Sequence, residues 1–135
     1  MPNAKIMFVS QRSYMPQGTL LEAISYPQNT NIGRDEVIQF LKESKLEKLI
    51  DQLDIANEWT RILSGGEQQK VAFIRVLLAK PEVIFLDEAT SAMDADNEKL
   101  MYNLLAEYLP NSQIISIGHR DTLKKYHKED RKSVV

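Results

Sequence analysis

Apolar residues recur along this chain in two rhythms, and their alternation sets out its elements. A short run at Ile6, Met7, Phe8 and Val9 leaves through Ser10 and Gln11, the pattern of a buried strand that delivers Gln11 to its carboxyl end. Thr19 and Glu22 have the spacing of a capping box and predict a short helical turn through Leu20, Leu21 and Ile24, ended by Tyr26 and Pro27. After a polar, loop-like stretch, Arg34 begins a helix with Val37, Ile38 and Leu41 on one face. Leu46, Leu49, Ile50 and Leu53 follow at i, i+3, i+4 and i+7, which predicts a second short helix.

Ser64 stands where an N-cap is needed, with Glu67 three residues on, and the helix it opens runs through Val71, Ile74, Leu77 and Leu78 until Lys80 and Pro81 stop it. Residues 83–86 are continuously apolar, the pattern of a strand buried on both faces. Asp94 caps a helix carrying Leu100, Met101, Leu104, Leu105 and Tyr108, closed by Pro110, and residues 113–117 read as a third buried strand ending at Gly118 and His119. The order strand, helical insert, strand, helix, strand, helix implies an α/β fold with parallel pairing. Gln11, Asp87 with Glu88, and His119 then fall just beyond three strand ends, the side of an open parallel sheet where ligands bind.

Composition narrows the class. With 135 residues, 43% of them hydrophobic, the chain has the size and make-up of one ordinary globular domain. A net charge of -2, from 17 basic and 19 acidic residues, gives no reason to expect a nucleic-acid partner or attraction to anionic lipid. The absence of cysteine excludes disulfides and thiolate metal sites and fits a reducing compartment. No apolar run has the length of a membrane span or a signal peptide, so membrane association is expected to come from a partner or from further sequence.

Ser64, Gly65 and Gly66 place a hydroxyl and two unobstructed backbone amides at a helix N-terminus, which suits an anion. A lone Ser-Gly-Gly is more often an ordinary cap; its occurrence with Glu67, Gln68 and Gln69 behind it makes it specific. Asp87 and Glu88 end an apolar strand, where a carboxylate needs a cation or hydrogen bonds. The Mg2+ of a bound nucleotide meets that need for one, and the other is free to polarise a water for in-line attack on phosphorus. His119 is placed to donate to a phosphate oxygen or steer the water. Gln11 suits the metal or the water through its amide, and equally a plain polar strand exit. Trp59 reads as a packing anchor, and His127 as a residue of a basic amphipathic tail.

One part of nucleotide chemistry is missing. A phosphate-cradling P-loop needs Gly, four residues, Gly, then Lys and Ser or Thr. The five glycines are Gly18, Gly33, Gly65, Gly66 and Gly118, and the positions five beyond them hold Ala23, Ile38, Lys70, Val71 and Leu123. The acids are present without the loop that holds the phosphates, so a piece of a larger ATPase is expected.

These residues resemble the nucleotide-binding domain of ABC transporters. Residues 63–69 are similar to the signature motif, 83–88 to the Walker B strand with its glutamate, Ser91, Ala92, Met93 and Asp94 to the D-loop, His119 to the switch histidine and Gln11 to the Q-loop glutamine. The resemblance implies an incomplete P-loop NTPase (RecA-like) sheet with a helical subdomain: 1–11 as core strand and Q-loop, 12–80 as the mainly helical part with the signature, and 81–135 as core with Walker B, D-loop and H-loop. It implies ATP and Mg2+ as ligands. Asp87 and Gln11 would serve the metal, Glu88 the general base, and His119 the γ-phosphate. Gln11, Ser64, Gly65, Gly66, Glu67 and Asp94 would surround ATP, part of it held by a second nucleotide-binding domain in a head-to-tail dimer. A transmembrane permease domain would place the chain at the cytoplasmic face of a membrane. The Asp-Glu-Ala-Thr-Ser-Ala-Met-Asp run looks exporter-like, and Tyr14 to Leu20 with Trp59 looks like permease-fused half-transporters. Two other readings are a non-catalytic module that lends its signature to a partner's nucleotide, which an intact Glu88 disfavours, and a soluble ABC-type ATPase of repair or translation.

Overall fold

Residues 5–26 and 33–117 are described by the structure, a computed structural model. In chain order the elements are β1 (Ile6–Val9), β2 (Gly18–Thr19), α1 (Leu20–Ser25), α2 (Arg34–Glu43), a 3-10 helix (Glu47–Gln52), β3 (Ala56–Asn57), α3 (Trp59–Ile62), α4 (Gly65–Ala79), β4 (Val83–Asp87), α5 (Ala95–Tyr108) and β5 (Gln113–Ile117). The three apolar runs pair in parallel in the order β1-β4-β5, with Val9 beside Leu86 and Leu86 beside Ser116. The strands bearing Gln11 and Asp87 are therefore neighbours, as expected for an α/β sheet. The helix expected after the third strand, with Gly118, His119 and His127, lies outside the described residues.

Alternation along the strands decides which face is covered. Val9, Ile84 and Leu86 are buried in one core with the apolar side chains of α4 and α5, and Ser116 meets Tyr102 of α5 through their hydroxyls at 3.2 Å. The opposite face is open. Ile6 is 52% and Phe8 75% exposed, and Phe8 stacks on the half-buried Phe85 with ring centroids 4.8 Å apart. The expectation of a buried strand at β1, and of burial on both faces at β4, is thus corrected: each is covered on one face. A continuous apolar run marks surface that needs a cover, and the described helices supply it on one side only.

Helix α4 is the axis of the fold. Both capping-box bonds form at its start, and every residue from Gln69 to Leu78 is buried. Burial on all sides means that its two interior cations need partners. Arg75 donates to the carbonyls of Ala23 at 2.9 Å and Tyr14 at 2.7 Å, with the Tyr26 ring 5.4 Å away. Burial pulls its guanidinium down to about 10, against the opposing pull of Tyr26. Lys70 donates to the carbonyl of Ser44, at the end of α2, at 2.8 Å. The long side chains thereby fasten α1 and α2 to α4. Trp59, 1% exposed, is the anchor its composition suggested.

Two local features differ from the pattern reading. The stripe from Leu46 to Leu53 folds as a 3-10 helix over Glu47–Gln52, set between Lys45, which reverses the chain at φ 61°, and the turn at Leu53 and Asp54, a connector position where 3-10 geometry is common. Gly18–Thr19 and Ala56–Asn57 form a two-residue antiparallel ribbon, too short for any periodicity to show.

Candidate functional site at the start of helix α4

Ser64 adopts extended backbone at the N-cap, and its Oγ accepts the Glu67 N–H at 3.1 Å while Glu67 Oε1 accepts the Ser64 N–H at 2.9 Å. The hydroxyl keeps its own proton for a further acceptor. The amides of Gly65 and Gly66 have no acceptor within the helix, so the α4 start presents donors and the positive end of the helix dipole together. Both glycines lie against the turn before α5. A Cβ on Gly66 would stand 3.0 Å from the Ala92 carbonyl oxygen, and one on Gly65 3.2 Å from the Ala92 Cβ. At its end that turn is closed by Asp94, whose Oδ1 accepts the Asn97 N–H at 2.8 Å as the α5 cap.

Ser64, Gly65, Gly66, Glu67 and Asp94 thus line one cleft of about 630 Å³, with Lys45, Lys48 and Lys70 along its walls. Gln11 lies in a neighbouring cleft of about 400 Å³ with Gln69 and Ser91, and Gly65 borders both. Asp87 and Glu88 line neither. Asp87 ends β4 exposed, and Glu88 turns out of the sheet at φ 53°, its N–H held by the Ile117 carbonyl at 2.8 Å. A left-handed glutamate costs roughly 1–3 kcal/mol and persists where its surroundings fix it, here the bond to β5. Among the described residues no group of three or more His, Cys, Asp or Glu is placed to hold a metal. Asp87 and Glu88 at the end of β4 are two adjacent carboxylates, the kind of donor Mg2+ takes one or two of while water and phosphate complete its shell.

Three comparisons bear on this geometry. A family profile described as "ABC transporter" matches residues 1–91. The chain belongs to the ABC transporter family. It is 52% identical over 126 residues to an ABC transporter ATP-binding protein of Haemophilus influenzae, covering 93% of this chain and 21% of that protein. It is 34% identical to the chloroplastic ABC transporter D family member 2 of Arabidopsis thaliana, covering 90% of this chain and 21% of the relative. Among solved structures it is similar to a bacterial Atm1-family ABC exporter with ATP bound, at TM-score 0.77 and 29% identity, over 89% of this chain and 22% of that one. The P-loop NTPase fold expected from the sequence is therefore the fold of this ABC chain, which spans about a fifth of the length of these relatives.

Sequence reasoning gave Glu67 to the nucleotide, and in this ABC chain both of its oxygens are engaged within the fold: Oε1 caps Ser64 and Oε2 pairs with Lys48 at 2.5 Å. Burial pushes the Glu67 carboxyl up, but Lys48 and the Ser64 N–H together pull it further down, below the usual glutamate range. Lys70 is lowered by burial, with Asp94 and Glu67 opposing. Lys45, Lys48 and Lys70 were not singled out by the sequence; only the fold shows that they share a wall.

The Glu67 shift sets an acid limb. Its folded pKa lies below the unfolded one, about 4.3, so the unfolded chain binds more protons in between and stability falls as pH drops through that window. Glu67→Gln keeps an acceptor for the Ser64 N–H and removes the charge. Its melting temperature is expected to fall less than that of the wild type as pH is lowered below about 4.5; parallel curves would refute the shift.

Proposed function

We propose that this chain forms part of the ATP-binding domain of an exporter-type ABC transporter, and that its two clusters serve two different nucleotides. The observation that carries the reading is their separation. The α4 start and Asp94 surround one cleft, while Asp87 and Glu88 stand outside it at the end of β4. In a head-to-tail dimer each nucleotide would lie between the strand-end acids of one copy and the α4 start of the other. The family membership and the ATP-bound exporter neighbour support this arrangement.

Each residue then has a task. Ser64 donates its free O–H, and Gly65 and Gly66 their amides, to the terminal phosphate of a nucleotide held by the partner. Glu67 shapes that turn through its cap and its pairing with Lys48. Glu88 takes the proton of the attacking water, and Asp87, assisted by Gln11, would hold Mg2+. The metal, when bound, neutralises charge on the phosphates. Asp94 shapes the dimer contact, and His119 serves the γ-phosphate. Residues 12–80 act as a mainly helical subdomain docked on a membrane-spanning permease domain at the cytoplasmic face. No helix of the described residues is long and apolar enough to cross a membrane, so that contact is the proposed route to it.

The 135 residues contain no P-loop, so the phosphates need a holder elsewhere in the transporter. The isolated chain is therefore expected to bind Mg·ATP weakly and release no phosphate, whereas the intact transporter is expected to bind it and release phosphate. Glu88-dependent phosphate release by the isolated chain would overturn the assignment.

A further inference from the structure

The side-chain amide of Gln69 makes three hydrogen bonds to two segments distant in sequence. It is 4% exposed. Its Nε2 donates to the Gln11 carbonyl and to Ser91 Oγ, each at 3.1 Å, and its Oε1 accepts the Ala92 N–H at 2.9 Å. The backbone partners settle the orientation of the amide, because Ala92 can only donate and Gln11 can only accept. Gln11 leads away from β1. Ser91 and Ala92 belong to the turn that lies on Gly65 and Gly66, and whose Thr90 donates to Glu98 Oε2 of α5 at 2.6 Å.

We infer that Gln69 is a positioning residue that braces the β1 exit at Gln11 to the Ser91–Ala92 turn, so that the two segments on either side of the α4 start keep a fixed spacing. The inference rests on the ATPase reading above for its functional consequence, and on geometry alone for the brace. No other side chain of this size does the same work. Leucine leaves the Gln11 carbonyl and the Ala92 N–H unmet. Glutamate accepts from Ala92 and Ser91 but sets a carboxylate oxygen against the Gln11 carbonyl. Lysine offers Ala92 no acceptor. Because a buried amide is costly unless its polar atoms are met, the side chain is held in this geometry.

The test uses Gln69→Leu and Gln69→Glu in the intact transporter, with kcat and KM for Mg·ATP measured per folded protein and amide hydrogen exchange followed at Ala92. A brace that aligns the site predicts a kcat loss of about ten-fold or more in both variants with KM within about two-fold, since small misplacements of reacting groups are costly. Ser91→Ala added to Gln69→Leu is expected to cost less than it does alone. The Ala92 amide is expected to exchange faster in Gln69→Leu and to stay protected in Gln69→Glu, which retains its acceptor. If Gln69→Leu does not fold, Gln69→Glu is the variant read. Wild-type kcat per folded molecule in the variants, beside a Glu88-dependent wild type, would overturn the positioning role and leave the ATPase reading standing. If the wild type shows no Glu88-dependent hydrolysis, the ATPase reading fails, and Ala92 exchange decides the brace by itself: equal rates in the wild type and Gln69→Leu would sink it.

Discussion

Replacing Glu88 by Gln in the intact transporter is expected to lower ATP turnover by about 10²- to 10⁴-fold, the usual contribution of a positioned general base, while nucleotide binding persists. The substitution keeps the shape of the side chain, so it inherits the left-handed backbone at φ 53° and the bond from the Glu88 N–H to Ile117. What it removes is the oxygen basicity. Phosphate release and equilibrium nucleotide binding measured side by side separate the two effects. A variant that loses binding in step with turnover would mean that Glu88 holds ligand or fold instead of activating water.

Phe73→Ala is expected to have the largest effect on stability, about 3–5 kcal/mol. Phe73 has no exposed surface and meets Tyr102 of α5 edge-on at 6.0 Å, so its removal opens a cavity between the central helix and the helix that follows the 88–94 turn. Domains of ordinary size hold only about 5–15 kcal/mol, so a loss of this size brings the folded state close to its limit. Urea unfolding followed by circular dichroism reads the change. A loss below about 1 kcal/mol would show that α4 and α5 close the gap by collapsing.

Much of this arrangement was legible because it depends on spacing. Ser64 and Glu67 sit three apart, as do Thr19 and Glu22, and all four make the bonds that such spacing allows. The apolar runs at 6–9, 83–86 and 113–117 gave the parallel sheet and put Gln11 and Asp87 on neighbouring strands. What stayed hidden depends on pairings across the fold. Gln68 and Gln69 look alike in sequence, yet Gln68 bonds locally to Thr60 and Leu63, while Gln69 reaches partners 58 and 22 residues away. The open face bearing Ile6 and Phe8 was hidden for a related reason. An apolar run reports that surface needs cover, not which element provides it. Glu67 shows both sides: its spacing predicted the cap on Ser64, and only the fold brings Lys48 to its other carboxylate oxygen.

The separation of Glu88 from the α4 start is tested most directly by mixed transporters that carry Glu88→Gln and Gly66→Val in two arrangements. Valine at 66 brings a Cβ to 3.0 Å from the Ala92 carbonyl oxygen, crowding the turn, and adds a branched side chain at the face the nucleotide would meet. If each nucleotide lies between Glu88 of one copy and Ser64 to Glu67 of the other, the two changes on different copies leave one site intact and ATP turnover continues. Both changes on the same copy damage both sites and turnover stops. The opposite outcome, turnover surviving only when both changes share a copy, would place Glu88 and the α4 start of one chain on the same nucleotide and contradict the proposed dimer.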